Sequence, residues 1–91
     1  MHELGLVERL LEVALEHAAQ AGSGPIRSLE LAVGRESGVS PDAIRFYWPQ
    51  VSDGTRAEGA RLRFRRVPGS AVGLRSLELA DGEAAGGGRR G

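Results

Sequence analysis

Cysteine and lysine are both absent from this chain, and aromatic residues make up only 4% of its 91 positions. The missing thiols exclude disulfides, thiol nucleophiles and Cys-based zinc sites together. Nothing in the composition requires an oxidising compartment. Without lysine, all 12 basic residues are Arg, and 12 acidic residues balance them to a formal net charge of zero. That balance argues against a dedicated nucleic-acid binder, which carries a basic excess. No apolar run approaches the ~18–20 residues that span a bilayer. Glu3, Glu8 and Arg9 interrupt the start too early for a signal core. A cytoplasmic protein with neither membrane nor nucleic-acid partners is the expectation. A chain this short forms one domain with a thin core.

The periodicities predict the order α-β-α-β-β. Residues 3–21 form an amphipathic helix with Leu4, Val7, Leu11, Ala14, Leu15 and Ala18 on one stripe. Gly22-Ser-Gly-Pro25 stops it. Leu6, Leu10 and Val13 lie on an adjoining flank, which either another element covers or a partner binds. Residues 26–34 alternate as a strand. Ser40-Pro41-Asp42 then supplies an N-cap, a first-turn proline and a dipole-matched carboxylate for a second helix. Pro49 is expected to end or kink that helix and expose Trp48. Strands follow around 60–65, with Arg61, Arg63 and Arg65 alternating outward, and at 74–79.

Two helices on a three-stranded sheet make a two-layer α+β domain over residues 1–80. Residues 81–91, mostly Gly, Ala and Arg without periodicity, read as a disordered tail. Ile26-Arg-Ser-Leu-Glu-Leu-Ala32 recurs almost unchanged as Leu74-Arg-Ser-Leu-Glu-Leu-Ala80. Two copies do not make a repeat array; both read as strands with apolar residues inward and Arg and Glu outward.

The candidate chemistry is sparse. No nucleophile–base set, carboxylate pair or phosphate-cradling loop stands out, so no enzyme is expected. The Arg row reads as a solvated face paired to Glu30 or Glu78. Tyr47-Trp48 reads as rim and core. His17, on the solvent side near a helix end, suits the dipole. At the start, the Met1 amine and the His2 imidazole and amide nitrogen can close adjacent chelate rings around one ion. A planar all-nitrogen set suits Ni(II) or Cu(II) over tetrahedral Zn(II). An idle terminal histidine fits the same letters, and three nitrogens leave a fourth position open.

Several stretches resemble the HypA/HybF hydrogenase nickel-incorporation proteins. They are Met1-His-Glu-Leu4, Leu29-Glu-Leu-Ala-Val-Gly34, Ser37-Gly-Val-Ser-Pro-Asp-Ala43, Phe46, Gly54-Thr55, Glu58-Gly-Ala60 and Leu77-Glu-Leu79. They stand in that family's order, from residue 1 to about 80. The resemblance implies a Ni(II) site built from the Met1 amine, the His2 imidazole and amide, and the Glu3 amide. It implies a carrier that hands nickel on during nickel–iron hydrogenase maturation. The implied partners are a maturation GTPase and the hydrogenase large subunit. The family's zinc lobe, with two Cys-x-x-Cys pairs between the last two strands, has no counterpart here. Only Pro68-Gly-Ser-Ala-Val-Gly73 fills that interval, which reads as a tight hairpin, and no zinc is expected. A metal-independent adaptor that kept this fold is the other reading, using Leu6, Leu10 and Val13 or an exposed Trp48 as its binding surface.

Overall fold

The computed structural model describes residues 3–80; Met1, His2 and 81–91, with the tail expected there, lie outside the described residues. Helix α1 spans Glu3–Ala21, strand β1 Ile26–Gly34, helix α2 Pro41–Ser52, strand β2 Arg61–Val67 and strand β3 Val72–Leu79. Two helices and a three-stranded mixed sheet make the α+β arrangement expected.

Local chemistry sets the boundaries. Glu3 places a carboxylate in the first turn of α1, against the positive end of the helix dipole. Beyond Ala21 the Gly22 N–H still reaches Ala18 O at 3.1 Å, and the chain then leaves through Ser23-Gly24-Pro25. The Arg56 guanidinium ties this loop to the opposite end of α2 by donating to the carbonyls of Gly24 at 2.6 Å and Gly22 at 3.0 Å. At α2, Ser40 is extended (φ −95°, ψ 134°) and its Oγ accepts from the Asp42 N–H at 3.1 Å.

The helix does not stop at Pro49; it runs through to Ser52 with the proline inside it. Pro49 is exposed, so the carbonyl one turn back that loses its donor can turn to water. Because the helix continues, Ile44, Trp48 and Ser52 stack on one buried face. Trp48 is therefore 3% exposed, and its Nε1–H donates to Ala57 O at 3.4 Å. The expectation of an exposed Trp48 is overturned.

The sheet order is β2-β1-β3, with β2 parallel and β3 antiparallel to β1. The expected hairpin between the last two strands is overturned as well. β2 and β3 lie on opposite sides of β1, so the 68–71 link must cross its end. Gly34 and its neighbours hold the link by three backbone bonds of 2.8 Å: Gly34 N–H to Ala71 O, Arg35 N–H to Val67 O and Glu36 N–H to Gly69 O. A methyl group at Gly34 would overlap the Gly69 carbonyl and stand 2.8 Å from Ala71 O.

The core lies between sheet and helices. Val7, Leu10, Leu11, Ala14 and Ala18 of α1 meet Leu29, Leu31 and Val33 of β1, Ile44 and Trp48 of α2, and Leu77 and Leu79 of β3. Leu10, on an adjoining flank by its spacing, is buried, because the apolar stripe of a packed helix is more than ~100° wide. Leu6 and Val13, its neighbours on that flank, are half-buried.

The two copies of the repeated segment pair with each other. Ser28 lies opposite Glu78, Leu29 opposite Leu77 and Glu30 opposite Ser76. The register shifts fall at Arg27 and Arg75, which are equivalent positions in the two copies. The ladder thus has an approximate two-fold axis through Leu29 and Leu77.

Candidate metal site

Glu3 is the first residue of α1 and is half-buried. Of the three proposed ligand residues it alone is described; Met1 and His2 directly precede it. The start of α1 borders a cleft formed by Glu3, Leu6 and Arg9, by Ser37 and Val39 of the loop after β1, and by Ser70 of the crossing link. The loop side is held by Ser37 N–H to Gly34 O at 3.0 Å and Val39 N–H to Ser37 Oγ at 3.1 Å. One end of the molecule therefore gathers the helix start, the 35–39 loop and the 68–71 link.

Helix geometry leaves the Glu3 amide free for other chemistry. The first four N–H groups of an α-helix have no intrahelical acceptor. Removing the proton from the Glu3 amide breaks no helical hydrogen bond. An amidate there also places negative charge where the helix dipole favours it. Among the described residues, no group of three or more His, Asp or Glu side chains converges as a metal cage.

The other singled-out residues lie elsewhere. His17 is exposed four turns along α1, with Nδ1 3.1 Å from Val13 O. Arg61, Arg63 and Arg65 stand on the open face of the sheet beside Ser28, Glu30 and Ala32. There Arg65 Nε meets Glu30 Oε2 at 3.3 Å, the cross-strand pairing expected of a solvated face. Tyr47 is half-buried and Trp48 buried, so the adjacent aromatics are rim and core. The prominent aromatic is instead Phe46, 75% exposed, its ring edge-on to Tyr47 at 5.1 Å. The signal was in the sequence: Phe46 is two residues from both Ile44 and Trp48, which a 3.6-residue period places opposite the buried face. Arg45, beside it, sits 4.6 Å over the Phe64 ring, a cation–π contact.

A family model described as hydrogenase/urease nickel incorporation, metallochaperone, hypA matches residues 1–75. The hydrogenase maturation factor HypA of Roseiflexus sp. (strain RS-1) is 46% identical over 68 residues, covering 75% of this chain and 55% of that protein. The protein of the same name from Rhizobium leguminosarum bv. viciae is 41% identical over 69 residues, covering 76% and 61%. That of Chlorobium limicola is 35% identical over 72 residues, covering 79% and 62%. The chain spans less than two thirds of the length of each of these relatives.

Proposed function

This chain belongs to the HypA family of nickel-incorporation proteins, and on that premise we propose that it carries one Ni(II) ion on its amino terminus. The ligands are the Met1 amine, the His2 imidazole and amide nitrogen, and the Glu3 amide nitrogen. The observation that carries the reading is the placement of Glu3 at the head of α1, where its N–H has no helical duty. Two amidates cancel the charge of Ni(II), so the loaded site is neutral beside the helix dipole. Four nitrogens in one plane suit a d⁸ ion and reject a tetrahedral one. The site needs no cysteine, and the reading expects no resident zinc.

The ion is cargo in this reading. The chain works in the cytoplasm as a carrier and not as an enzyme. It passes nickel on during hydrogenase maturation, with a maturation GTPase and the nickel–iron hydrogenase large subunit as partners. In this reading a receiving protein docks at the cleft beside Glu3, on the loop and link side. No described helix is long and apolar enough to cross a membrane. The adaptor reading is weaker because Leu10 and Trp48, two of its four contact residues, are buried.

Calorimetry with Ni(II) on untagged chain, its native Met1 verified by mass, tests the site. One ion per chain is expected for the parent. Loss of binding is expected for His2→Ala and for chain extended by one residue ahead of Met1. NMR lines left sharp by bound nickel would report the planar, diamagnetic ion. Equal affinity in parent and His2→Ala ends the proposal.

A further inference from the structure

The segments Ile26–Ala32 and Leu74–Ala80 are nearly identical and are antiparallel neighbours, so this sequence pairs with itself. β1 uses both of its edges. β3 uses one, and no described strand covers the other. An open edge offers a row of N–H and C=O groups to another chain. The Ala80 N–H turns toward β1, donating to Pro25 O at 2.9 Å. Alternation along the strand then leaves the N–H groups of Leu77 and Leu79 facing the open side.

We propose that two copies of this chain associate through β3, antiparallel about a two-fold axis at Leu77, joining two three-stranded sheets into one of six strands. Ser76 then faces Glu78 of the second copy, and Glu78 faces its Ser76. The same side chains already face each other across the strand's other edge within one chain, Ser28 with Glu78 and Ser76 with Glu30. An isologous contact of this kind requires only a surface complementary to itself.

Charge separates the two open edges. Arg61, Arg63 and Arg65 alternate along β2, so self-pairing there would set Arg against Arg, which is unfavourable. β3 presents Ser against Glu. The flank of α1 adds apolar area. Leu4 and Leu11 border Gln50 and Val51 on the side of α1 that faces α2. Leu6, on the other side, borders Val72 of β3. Val13 follows Leu6 by two turns on the same side of α1, away from α2, and in the pair these half-buried residues meet their symmetry mates over the joined sheet. The register shift at Arg75 bends the strand there, which confines the new ladder to residues after it and leaves the helix contact to complete the interface. A net charge of zero removes long-range repulsion between copies.

Sedimentation or light scattering on the full metal-free chain, from micromolar to millimolar concentration, tests the proposal. The expected mass rises with concentration toward twice that of one chain. Ser76→Glu sets carboxylate against carboxylate at two places per pair and is expected to return the protein to a single chain. Adding Glu78→Arg to that variant restores the pair. Ser76→Glu also sets a carboxylate opposite Glu30 within each chain, so circular dichroism checks that the fold is kept in both variants. Val13→Glu, outside the buried core, is expected to weaken the pair independently and decides the matter should Ser76→Glu unfold. A single-chain mass at every concentration overturns the proposal, as does a dimer indifferent to both Ser76→Glu and Val13→Glu. A charge-swapped double variant that stays single overturns the register.

Discussion

Ser28 donates its hydroxyl to the Glu78 carboxylate at 3.3 Å, and the second copy of the repeat returns the pair in mirror order, Ser76 to Glu30 at 3.5 Å. Between them Leu29 and Leu77 face each other on the buried side. One short sequence thus fills both the central strand and one of its neighbours. It tolerates this because alternation separates its two tasks: leucines toward the helices, Ser and Glu on the opposite face of the sheet, where Ser28 is itself buried. Both polar contacts are long for hydrogen bonds to a carboxylate, which usually lie near ~2.5–2.7 Å for a hydroxyl donor.

The leucines and not the polar pairs should therefore dominate the stability of this ladder. Leu29→Ala is expected to cost about 2–5 kcal/mol, the range for a large-to-small change at a fully buried site. Ser28→Ala is expected to cost under ~1 kcal/mol, since a long bond to a partner that can turn to water is worth little. Urea denaturation of the two variants measures both. A Ser28→Ala cost equal to that of Leu29→Ala would show that the outer face, not the core, holds β1 to β3.

Gly34 marks the close approach of the 68–71 link to the end of β1. An added methyl group meets the backbone oxygens of Gly69 and Ala71, which have no free rotor with which to move aside. Gly34→Ala is expected to destabilise by about 1–3 kcal/mol, as overpacking does. Gly73→Ala is the control. Nothing lies within 4 Å of a methyl group there, and the residue has no positive φ. That variant should be neutral or gain up to about 1 kcal/mol from reduced chain entropy. Thermal unfolding of the pair checks the contrast.

Much of this fold is legible in the letters, because caps and periods are local. Ser40-Pro41-Asp42 marks the start of α2, and the alternation from Ile26 to Gly34 marks β1. The strand joined after the 68–71 link and the length of α2 depend on non-local facts. Pro68-Gly69 says that the chain turns, but not which strand the next one joins; the neighbour was set by β1 being the strand able to bury apolar groups between two others. Pro49 signals a missing hydrogen bond, but the packing of Ile44, Trp48 and Ser52 on one face outweighs that signal. The ligand set at Met1, His2 and Glu3 is different in kind. Spacing permits it, and only resemblance to a family singles it out.

Pro49 remains an internal defect in α2, and removing it should help. An interior proline costs about 3 kcal/mol relative to alanine in an exposed helix. Part of that is offset by the stiffness proline gives the unfolded chain. Pro49 is exposed and Trp48 carries the core contact, so Pro49→Ala changes the backbone without opening a cavity. An increase of about 1–2 kcal/mol in unfolding free energy is expected. Emission from Trp48, the only tryptophan, follows the transition and should keep its buried character in the native state. A loss of stability would mean that the proline ring itself packs in a way its exposure does not show.

Nickel binding at the terminus should be set by proton competition. A free α-amine titrates near ~7.7–8 and an ordinary imidazole near ~6.5, and both must lose a proton to bind. The two amides must give up protons as well, so loading releases several protons. Affinity is therefore expected to be greatest above about pH 8 and to fall steeply as pH drops toward about 6. A site held by carboxylates would weaken only below about pH 5, where Asp and Glu protonate. Calorimetry in buffers of different ionisation enthalpy counts the protons released per ion. A flat affinity between pH 6 and 8, or release of fewer than about one proton, would point away from Met1, His2 and Glu3 and toward surface carboxylates.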